Sequence, residues 1–365
     1  MTSPPTTLTL IRHGLSDYNL DGRFQGSGDE AGLSERGLRQ ALLVGGSLRG
    51  LPLDRVYSSP LRRASESARA IAQGAGLLPP IRHDDRLREV DIPGWEGRRH
   101  SEIRDTDPAA FARYRDTPGA FEIRTGGTSR RPLVELYERA SGFLEEEVLG
   151  TSSSILAVSH LGANQALINV ALGLSEDHHH RLQQSQCGIS RLVFDDAGRA
   201  RLTLLNDTSV LGEALPKIKS RKAGVRVVLL GLGERCVPGR TADGAETRRD
   251  RSVWTENGLD FPAEWFPGAK AFSLVDGAPD DALAGTIRCL RARDDRLSTV
   301  VVAVRPASLP GVARHLFGIP EALLAGVGNA PVFRMVIHDS ARHGRPIVQA
   351  IDAESDRFCL DGGAG

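Results

Sequence analysis

A short apolar segment that ends in charged residues restricts the fold of this chain more than any other feature. Leu8 to Ile11 form an apolar run, and Arg12-His13-Gly14 follows it directly. A run of this length, followed by loop residues, predicts a β-strand. Ligands of α/β folds bind beyond the carboxyl ends of the strands. We therefore expect His13 to lie at the ligand-binding edge of a sheet.

Strand-like and helix-like segments alternate through the first half of the chain. The sequence predicts helices over Ser34 to Leu48 and Ala163 to Leu172. A further helix is expected to begin at Ser59-Pro60, with Ser59 as its N-cap and with Leu61, Ala64, Ala68 and Ile71 on one face. Such alternation favours a three-layer α/β sandwich with a mainly parallel sheet. The predicted strands are Arg55 to Ser58, Ser154 to Ser159, Ile189 to Phe194 and Arg201 to Leu205.

The length of 365 residues favours two domains. Residues 216–223 are lysine-rich and lack a hydrophobic period, which predicts a linker between a first domain at 1–215 and a second α/β module at 224–365. The apolar run Val225 to Leu230 restarts the pattern there. The second module reads as a degenerate copy, because Gly231 to Gly233 replaces Arg12-His13-Gly14 and Pro306 falls near the place of His160.

Transfer of a phosphate ester needs a nucleophile, cations around the phosphate oxygens and an acid for the leaving oxygen. The first module supplies His13 as nucleophile and Glu89 as an acid whose pKa burial would raise. Arg12, Arg63 and His160 could neutralise a phosphate dianion, so we predict no metal and no cofactor.

The order of five motifs resembles that of the histidine phosphatase superfamily, which includes the cofactor-dependent phosphoglycerate mutases. The resemblance covers about residues 7 to 210. It implies that His13 is the nucleophile and that Glu89 is the proton donor. It also implies that phosphate is bound by Arg12, Arg63 and His160, with Asn19 and Gln25 near the pocket. The motifs are Arg12-His-Gly14, Gly22-Arg-Phe-Gln-Gly26, Ser58-Ser-Pro-Leu-Arg-Arg-Ala64, Leu87-Arg-Glu89 and Ser159-His160.

A closer similarity links the chain to two-module phosphatases of the 2-carboxyarabinitol-1-phosphate phosphatase type. Thr128 departs from the wider superfamily, in which many members carry glutamate at this position. The stretch between Gly97 and Gly126 is shorter than in the mutases. Its shortness favours water as the final phosphate acceptor. The motifs that carry this similarity are Arg12-His-Gly-Leu-Ser16, Pro132-Leu-Val-Glu-Leu136, Asn164-Gln-Ala-Leu167 and Gln184-Ser-Gln-Cys-Gly188.

The resemblance implies a metal-independent phosphomonoester hydrolase that acts on a small, sugar-phosphate-like metabolite. Two alternatives stay open: a phosphomutase, and a regulator that binds a phosphorylated metabolite without turning it over. Substrate specificity is expected to come from the loops at Asp21 to Leu33 and His100 to Arg131. The second module is expected to pack on the first module, to shape the substrate entrance of the first module, or to form a homodimer contact, and the sequence does not decide between these roles.

The charge and the cysteine content limit the expected binding partners and the expected location of the protein. Lysine plus arginine and aspartate plus glutamate both total 46, which disfavours nucleic-acid and membrane partners. The four cysteines form no CxxC pair, and the N-terminus lacks a signal-peptide pattern, so we expect free thiols in a cytoplasmic protein. His178-His-His180 is interpreted as a solvated helical turn rather than a metal site.

Overall fold

The computed structural model describes residues 4–76, 79–213, 215–218, 223–232, 251–257, 259, 270–274, 281–293, 296–327, 332–341 and 344–353. The chain divides into two compact units, residues 1–201 and 202–365. The predicted linker at 216–223 lies only partly within the described residues, and the predicted domain boundaries stay a prediction. No helix in the described part of the chain has the length and apolar character of a membrane span.

The first unit is built around a mainly parallel sheet, which confirms the predicted α/β class. Its strand order is β7-β1-β6-β2-β3, and only β7 runs antiparallel to its neighbour β1. The strands are β1 (Thr6–Arg12), β2 (Arg55–Ser58), β3 (Ile81–His83), the hairpin β4 (Ile123–Thr125) and β5 (Thr128–Arg130), β6 (Ser154–Ser159) and β7 (Ile189–Phe194). The helices are α1 (Asp17–Asp21), α2 (Glu35–Ser47), α3 (Arg62–Ala75), α4 (His100–Thr106), α5 (Pro108–Asp116), α6 (Pro132–Phe143) and α7 (Leu161–Ala171).

Helix α3 begins later than the sequence pattern predicts. Its N-cap is Leu61, and Ser59 is not the cap. The hydroxyl of Ser59 accepts from the Leu61 N–H at 3.3 Å and also contacts His160 Nε2 at 2.8 Å, so the group that the local pattern assigned to capping is shared with a long-range partner. The predicted apolar face is confirmed, since its four members are at most 2% exposed: Leu61, Ala64, Ala68 and Ile71.

The second unit repeats the topology of the first. Its order β11-β10-β12-β9-β13 matches β3-β2-β6-β1-β7, with parallel neighbours throughout except for the antiparallel pair β9–β13. This match confirms a second α/β module of similar type. The elements are β8 (Ala200–Asp207, which crosses the unit boundary), β9 (Gly224–Leu232), β10 (Arg251–Glu256), β11 (Lys270–Leu274), α8 (Asp281–Arg291), β12 (Leu297–Val304), α9 (Leu309–Phe317), β13 (Val332–Asp339) and β14 (Ile347–Asp352).

Strand register fixes which residues of the two units correspond. Arg12 pairs with Ser159 at the end of β1 and β6, and Gly231 pairs with Val304 at the end of β9 and β12. The place of His13 is therefore taken by a buried leucine, Leu232, and the place of His160 by Arg305. Pro306, expected near the latter place, follows Arg305 directly. Gly233 lies outside the described residues.

Candidate active site

His13 stands directly after β1 and is 2% exposed. Its main-chain N–H donates to the Ser159 carbonyl at 2.8 Å, which ties it to β6. Its ring Nδ1 lies 2.7 Å from the Gly14 carbonyl oxygen. Since a carbonyl only accepts hydrogen bonds, this contact requires a proton on Nδ1. In the neutral ring, Nε2 is then the nitrogen without a proton, which is the form that a nucleophile needs.

Gly14 links the His13 loop to helix α3. A Cβ on Gly14 would stand 2.5 Å from the Gly37 carbonyl oxygen, so only glycine fits. The Gly14 N–H donates to Ser67 Oγ at 2.9 Å, and this hydroxyl donates to the Arg63 carbonyl at 2.7 Å. The chain of bonds sets the position of His13 relative to the helix that carries Arg63.

Two buried guanidinium groups lie at this edge of the sheet. Arg12 Nη1 donates to the Gln184 carbonyl at 2.9 Å, and Arg63 donates to the carbonyls of Gly26 and Gly28. Within the described part of the chain, the Nε of each arginine has no hydrogen-bond partner. Burial lowers the pKa of Arg12 to about 10, so it remains a cation at neutral pH.

His160 follows β6 and is fully buried. Its ring centroid lies 5.3 Å from that of His13. Nε2 contacts the Ser59 hydroxyl, and Nδ1 has no partner among the residues described. Burial first, and then the positive charges of Arg63, His13 and Arg12, hold the pKa of His160 well below its usual value. His160 is therefore neutral near pH 7 and can offer a proton donor without adding a charge.

Glu89 lies at the N-terminus of α7 and is 7% exposed. Oε1 accepts from the Val90 N–H at 2.9 Å and the Ala163 N–H at 3.2 Å, and Oε2 accepts from the Gly162 N–H at 2.9 Å. A Cβ on Gly162 would stand 2.4 Å from Oε1. The close approach of this carboxylate to the helix therefore requires glycine at 162, a requirement that the sequence pattern did not reveal.

Asn19 and Gln25 both bind Ser16. Asn19 forms a capping box with Ser16 at the start of α1, and Gln25 Oε1 accepts from Ser16 Oγ at 2.7 Å. These contacts give each side chain a structural role in the loop after β1. Their predicted place near a phosphate pocket stays a prediction.

The histidine triplet is not a solvated turn, which corrects the expectation from sequence. His179 is fully buried, and His180 Nε2 lies 2.8 Å from the Tyr114 carbonyl oxygen. Burial lowers the pKa of His180 to about 4. Tertiary packing on α7 and the aromatic side chains of Tyr114 and Tyr137 covers this turn. No cluster of three or more metal-ligating side chains occurs in the described ranges.

The matching position of the second unit holds an ion pair. Register aligns Glu256 with Ser59 and Arg305 with His160. The Glu256 carboxylate, 5% exposed, accepts from the Arg305 main-chain N–H at 2.8 Å and from its Nη1 at 2.5 Å. The Glu256 carboxylate thus takes the place of the Ser59 hydroxyl, and Arg305 takes that of the His160 ring.

Comparison with known proteins agrees with this geometry. The family model of the histidine phosphatase superfamily (branch 1) matches residues 8–208, so the chain belongs to this superfamily.

Three relatives illustrate its range. The chain is 32% identical over 233 residues to a 2-carboxy-D-arabinitol-1-phosphatase of Triticum aestivum, covering 62% of this chain and 46% of that protein. It is 36% identical over 207 residues to phosphoserine phosphatase 1 of Hydrogenobacter thermophilus, covering 56% and 94%. It is 33% identical over 189 residues to a "Probable phosphoglycerate mutase GpmB" of Salmonella choleraesuis, covering 52% and 85%. The chain spans about half the length of the curated plant relatives.

Proposed function

We propose that the chain is a metal-independent phosphomonoester hydrolase that works through a phosphohistidine on His13. The observation that carries this proposal is a set of buried donors with no partner in the described residues: Arg12 Nε, Arg63 Nε and His160 Nδ1. Buried donors normally form hydrogen bonds, and each buried donor without an acceptor lowers the stability of the fold by about 1–3 kcal/mol. Three of them at the edge of the sheet that carries His13 fit a phosphate dianion.

The reaction follows from the groups at hand. Nε2 of His13 attacks phosphorus, the bond from phosphorus to the ester oxygen breaks, and protonated Glu89 gives its proton to that oxygen. A water molecule then attacks the phosphohistidine, Glu89 takes one proton from the water, and inorganic phosphate leaves with His13 restored. Arg12 and Arg63 balance the charge on the phosphate oxygens in both steps.

The proposed substrate is a small phosphorylated metabolite. The phosphorylated compounds in the names of the three relatives, two phosphatases and a mutase, all carry a phosphate monoester together with a carboxylate. We propose the same substrate class here. The free thiols of Cys187 and Cys289 fit the proposed cytoplasmic location. Residues 224–365 are proposed as a module without phosphatase chemistry, with 216–223 as linker and 1–215 as catalytic domain.

Phosphate release by wild type and His13→Ala tests the hydrolase proposal. Sugar phosphates, phosphorylated carboxylic acids and nucleotides are screened, with and without a strong chelator. His83→Ala on the exposed strand β3 is the matched control. We expect chelator-resistant release by wild type and the control, and none by His13→Ala. Release by His13→Ala above a few per cent of the wild-type rate, with an intact circular dichroism spectrum, would overturn the covalent mechanism.

A phosphomutase is the second candidate, because the Salmonella relative carries a mutase name. The two functions differ in the group that receives the phosphoryl group from His13. Incubation of a phosphorylated carboxylic acid that has a second hydroxyl separates them. Free phosphate supports the hydrolase, whereas an isomeric phosphate ester without free phosphate supports the mutase.

A further inference from the structure

Arg139, on helix α6, spans the main chain of the loop that carries Glu89. Its Nη2 donates to the Glu89 carbonyl oxygen at 3.1 Å. Its Nη1 donates to three more carbonyl oxygens of the same loop, at 3.2, 3.3 and 2.9 Å: those of Asp85, Arg86 and Arg88. A planar guanidinium with several fixed donors suits such a cluster of carbonyls, which a lysine ammonium cannot bridge in the same way.

The partners of Arg139 set it apart from its neighbour Arg86. Arg86 binds mainly carboxylates, with Nη2 at 2.7 Å from Asp84 Oδ2 and Nη1 at 2.7 Å from Glu146 Oε2, and Nη1 donates to one carbonyl, that of Gly142, at 3.0 Å. Each of the hydrogen bonds of Arg139 given above ends on a main-chain carbonyl. Arg86 thus stabilises the surface of this region, while Arg139 fixes the path of the main chain next to Glu89.

Glu89 is consequently held on two sides. On one side its carboxylate accepts from the N–H groups of Gly162 and Ala163 on α7. On the other side its own carbonyl accepts from Arg139 on α6. Because α6 packs against α7, the two helices together define where the carboxylate stands. A shift of about 1 Å in a reacting group can cost about 100-fold in rate.

We propose that Arg139 is a positioning residue for Glu89, which keeps the carboxylate of this acid aligned with the leaving oxygen of the substrate. The proposal rests on the proposed phosphatase function. It assigns Arg139 no contact with phosphate, so phosphate affinity should not depend on it. Proton donation matters most for poor leaving groups, so loss of Arg139 should depend on the leaving group.

A cavity beside Arg139 makes chemical rescue feasible. Arg139 and Glu89 both line this space of about 700 Å³, together with Arg88, Arg130 and Glu135 among others. Truncation of Arg139 to alanine extends the space by a guanidinium-sized volume. Free guanidinium ion has the same planar donors as the side chain and can enter from the cavity.

The experiment compares Arg139→Ala, Arg139→Lys and the control Arg86→Ala in the full chain. Each is assayed on an alkyl phosphate and on p-nitrophenyl phosphate, whose leaving group needs no acid. For Arg139→Ala we expect kcat/KM, which reports the step in which the leaving group departs, to fall about 100-fold on the alkyl phosphate and less than about fivefold on the aryl phosphate. Inhibition by inorganic phosphate should stay unchanged, and Arg139→Lys should lie between Arg139→Ala and wild type.

Millimolar guanidinium should restore part of the alkyl phosphatase rate of Arg139→Ala, while methylammonium should restore less. Equal losses on both substrates, or the same pattern in Arg86→Ala, would overturn the positioning role. If Arg139→Ala does not fold, the substrate dependence of Arg139→Lys decides. A wild-type chain inactive on every phosphate ester would refute the proposed function itself, which is a separate outcome.

Discussion

Replacement of Gly162 by alanine puts a single methyl group against the carboxylate of Glu89. The new Cβ would stand 2.4 Å from Glu89 Oε1 and 3.4 Å from His179 Nε2. The first distance lies far below van der Waals contact, so the carboxylate has to move by about 1 Å. Because His179 is fully buried and lies 3.4 Å from the same Cβ, a shift of α7 toward His179 would create a second close contact.

The magnitude follows from the hydrogen bonds that this movement breaks. The Glu89 carboxylate accepts from the N–H groups of Gly162 and Ala163 at 2.9 and 3.2 Å. Bonds to a charged acceptor contribute about 1.5–3 kcal/mol each, so losing them costs about 3 kcal/mol in total. The rate falls for a separate reason: a carboxylate displaced by about 1 Å is misaligned with the leaving oxygen, so kcat on an alkyl phosphate drops about 100-fold. Alanine regains about 1 kcal/mol of helix propensity, so the free energy of unfolding falls by only about 2 kcal/mol.

The assay measures kcat on an alkyl phosphate and on p-nitrophenyl phosphate, with urea unfolding in parallel. Gly46→Ala is the matched control, because Gly46 also lies in a helix, α2, and a Cβ there meets nothing within 4 Å. The control should keep wild-type activity and gain up to about 1 kcal/mol of stability. A Gly162→Ala variant with wild-type kcat on the alkyl phosphate would refute the reasoning.

Two further predictions concern titratable and charged side chains outside the proposed phosphate site. Burial lowers the pKa of His180 to about 4 in the folded chain. Between pH 4 and pH 6.5 the unfolded chain therefore binds more protons than the folded chain. The stability that is present above pH 6.5 is lost as the pH falls through this range. Urea unfolding of His180→Gln should show this pH dependence reduced by up to about 3 kcal/mol, and an unchanged dependence would contradict the assignment. In the second unit, Glu256→Gln removes the counter-charge of Arg305, whose side chain is 47% exposed and stays hydrated, and should cost about 1 kcal/mol of unfolding free energy while kcat stays at the wild-type value. A matching loss of kcat in the folded variant would show that this edge takes part in turnover.

The sequence predicted best those features that depend on residues close together in the chain. The apolar runs before His13 and His160 located the strand ends, because strand ends are local transitions from apolar to polar residues. Arg12, Glu89 and His160 are all buried in the structure, while their grouping as a phosphate site and their catalytic roles stay proposals.

Features that depend on distant partners were missed. The pairing of Ser59 with His160 joins residues 101 positions apart, so a local pattern assigned Ser59 to capping instead. Gly162 is needed only because Glu89 approaches it from another loop, and Arg139 matters only through carbonyls about 50 positions earlier. His179 is buried by tertiary packing that three successive polar residues do not signal.

The ion pair of Glu256 and Arg305 limits how a chain can pass between an active and a silent copy by single substitutions. With serine and histidine, as in the first unit, the pair is neutral, and with glutamate and arginine it is also neutral overall. A glutamate opposite neutral histidine leaves a buried charge without its counter-ion, at a cost of several kcal/mol. An arginine opposite serine costs little, because its side chain is 47% exposed and stays hydrated. The two positions are therefore epistatic, and a path that introduces the arginine first avoids the stability loss of the path that introduces the glutamate first.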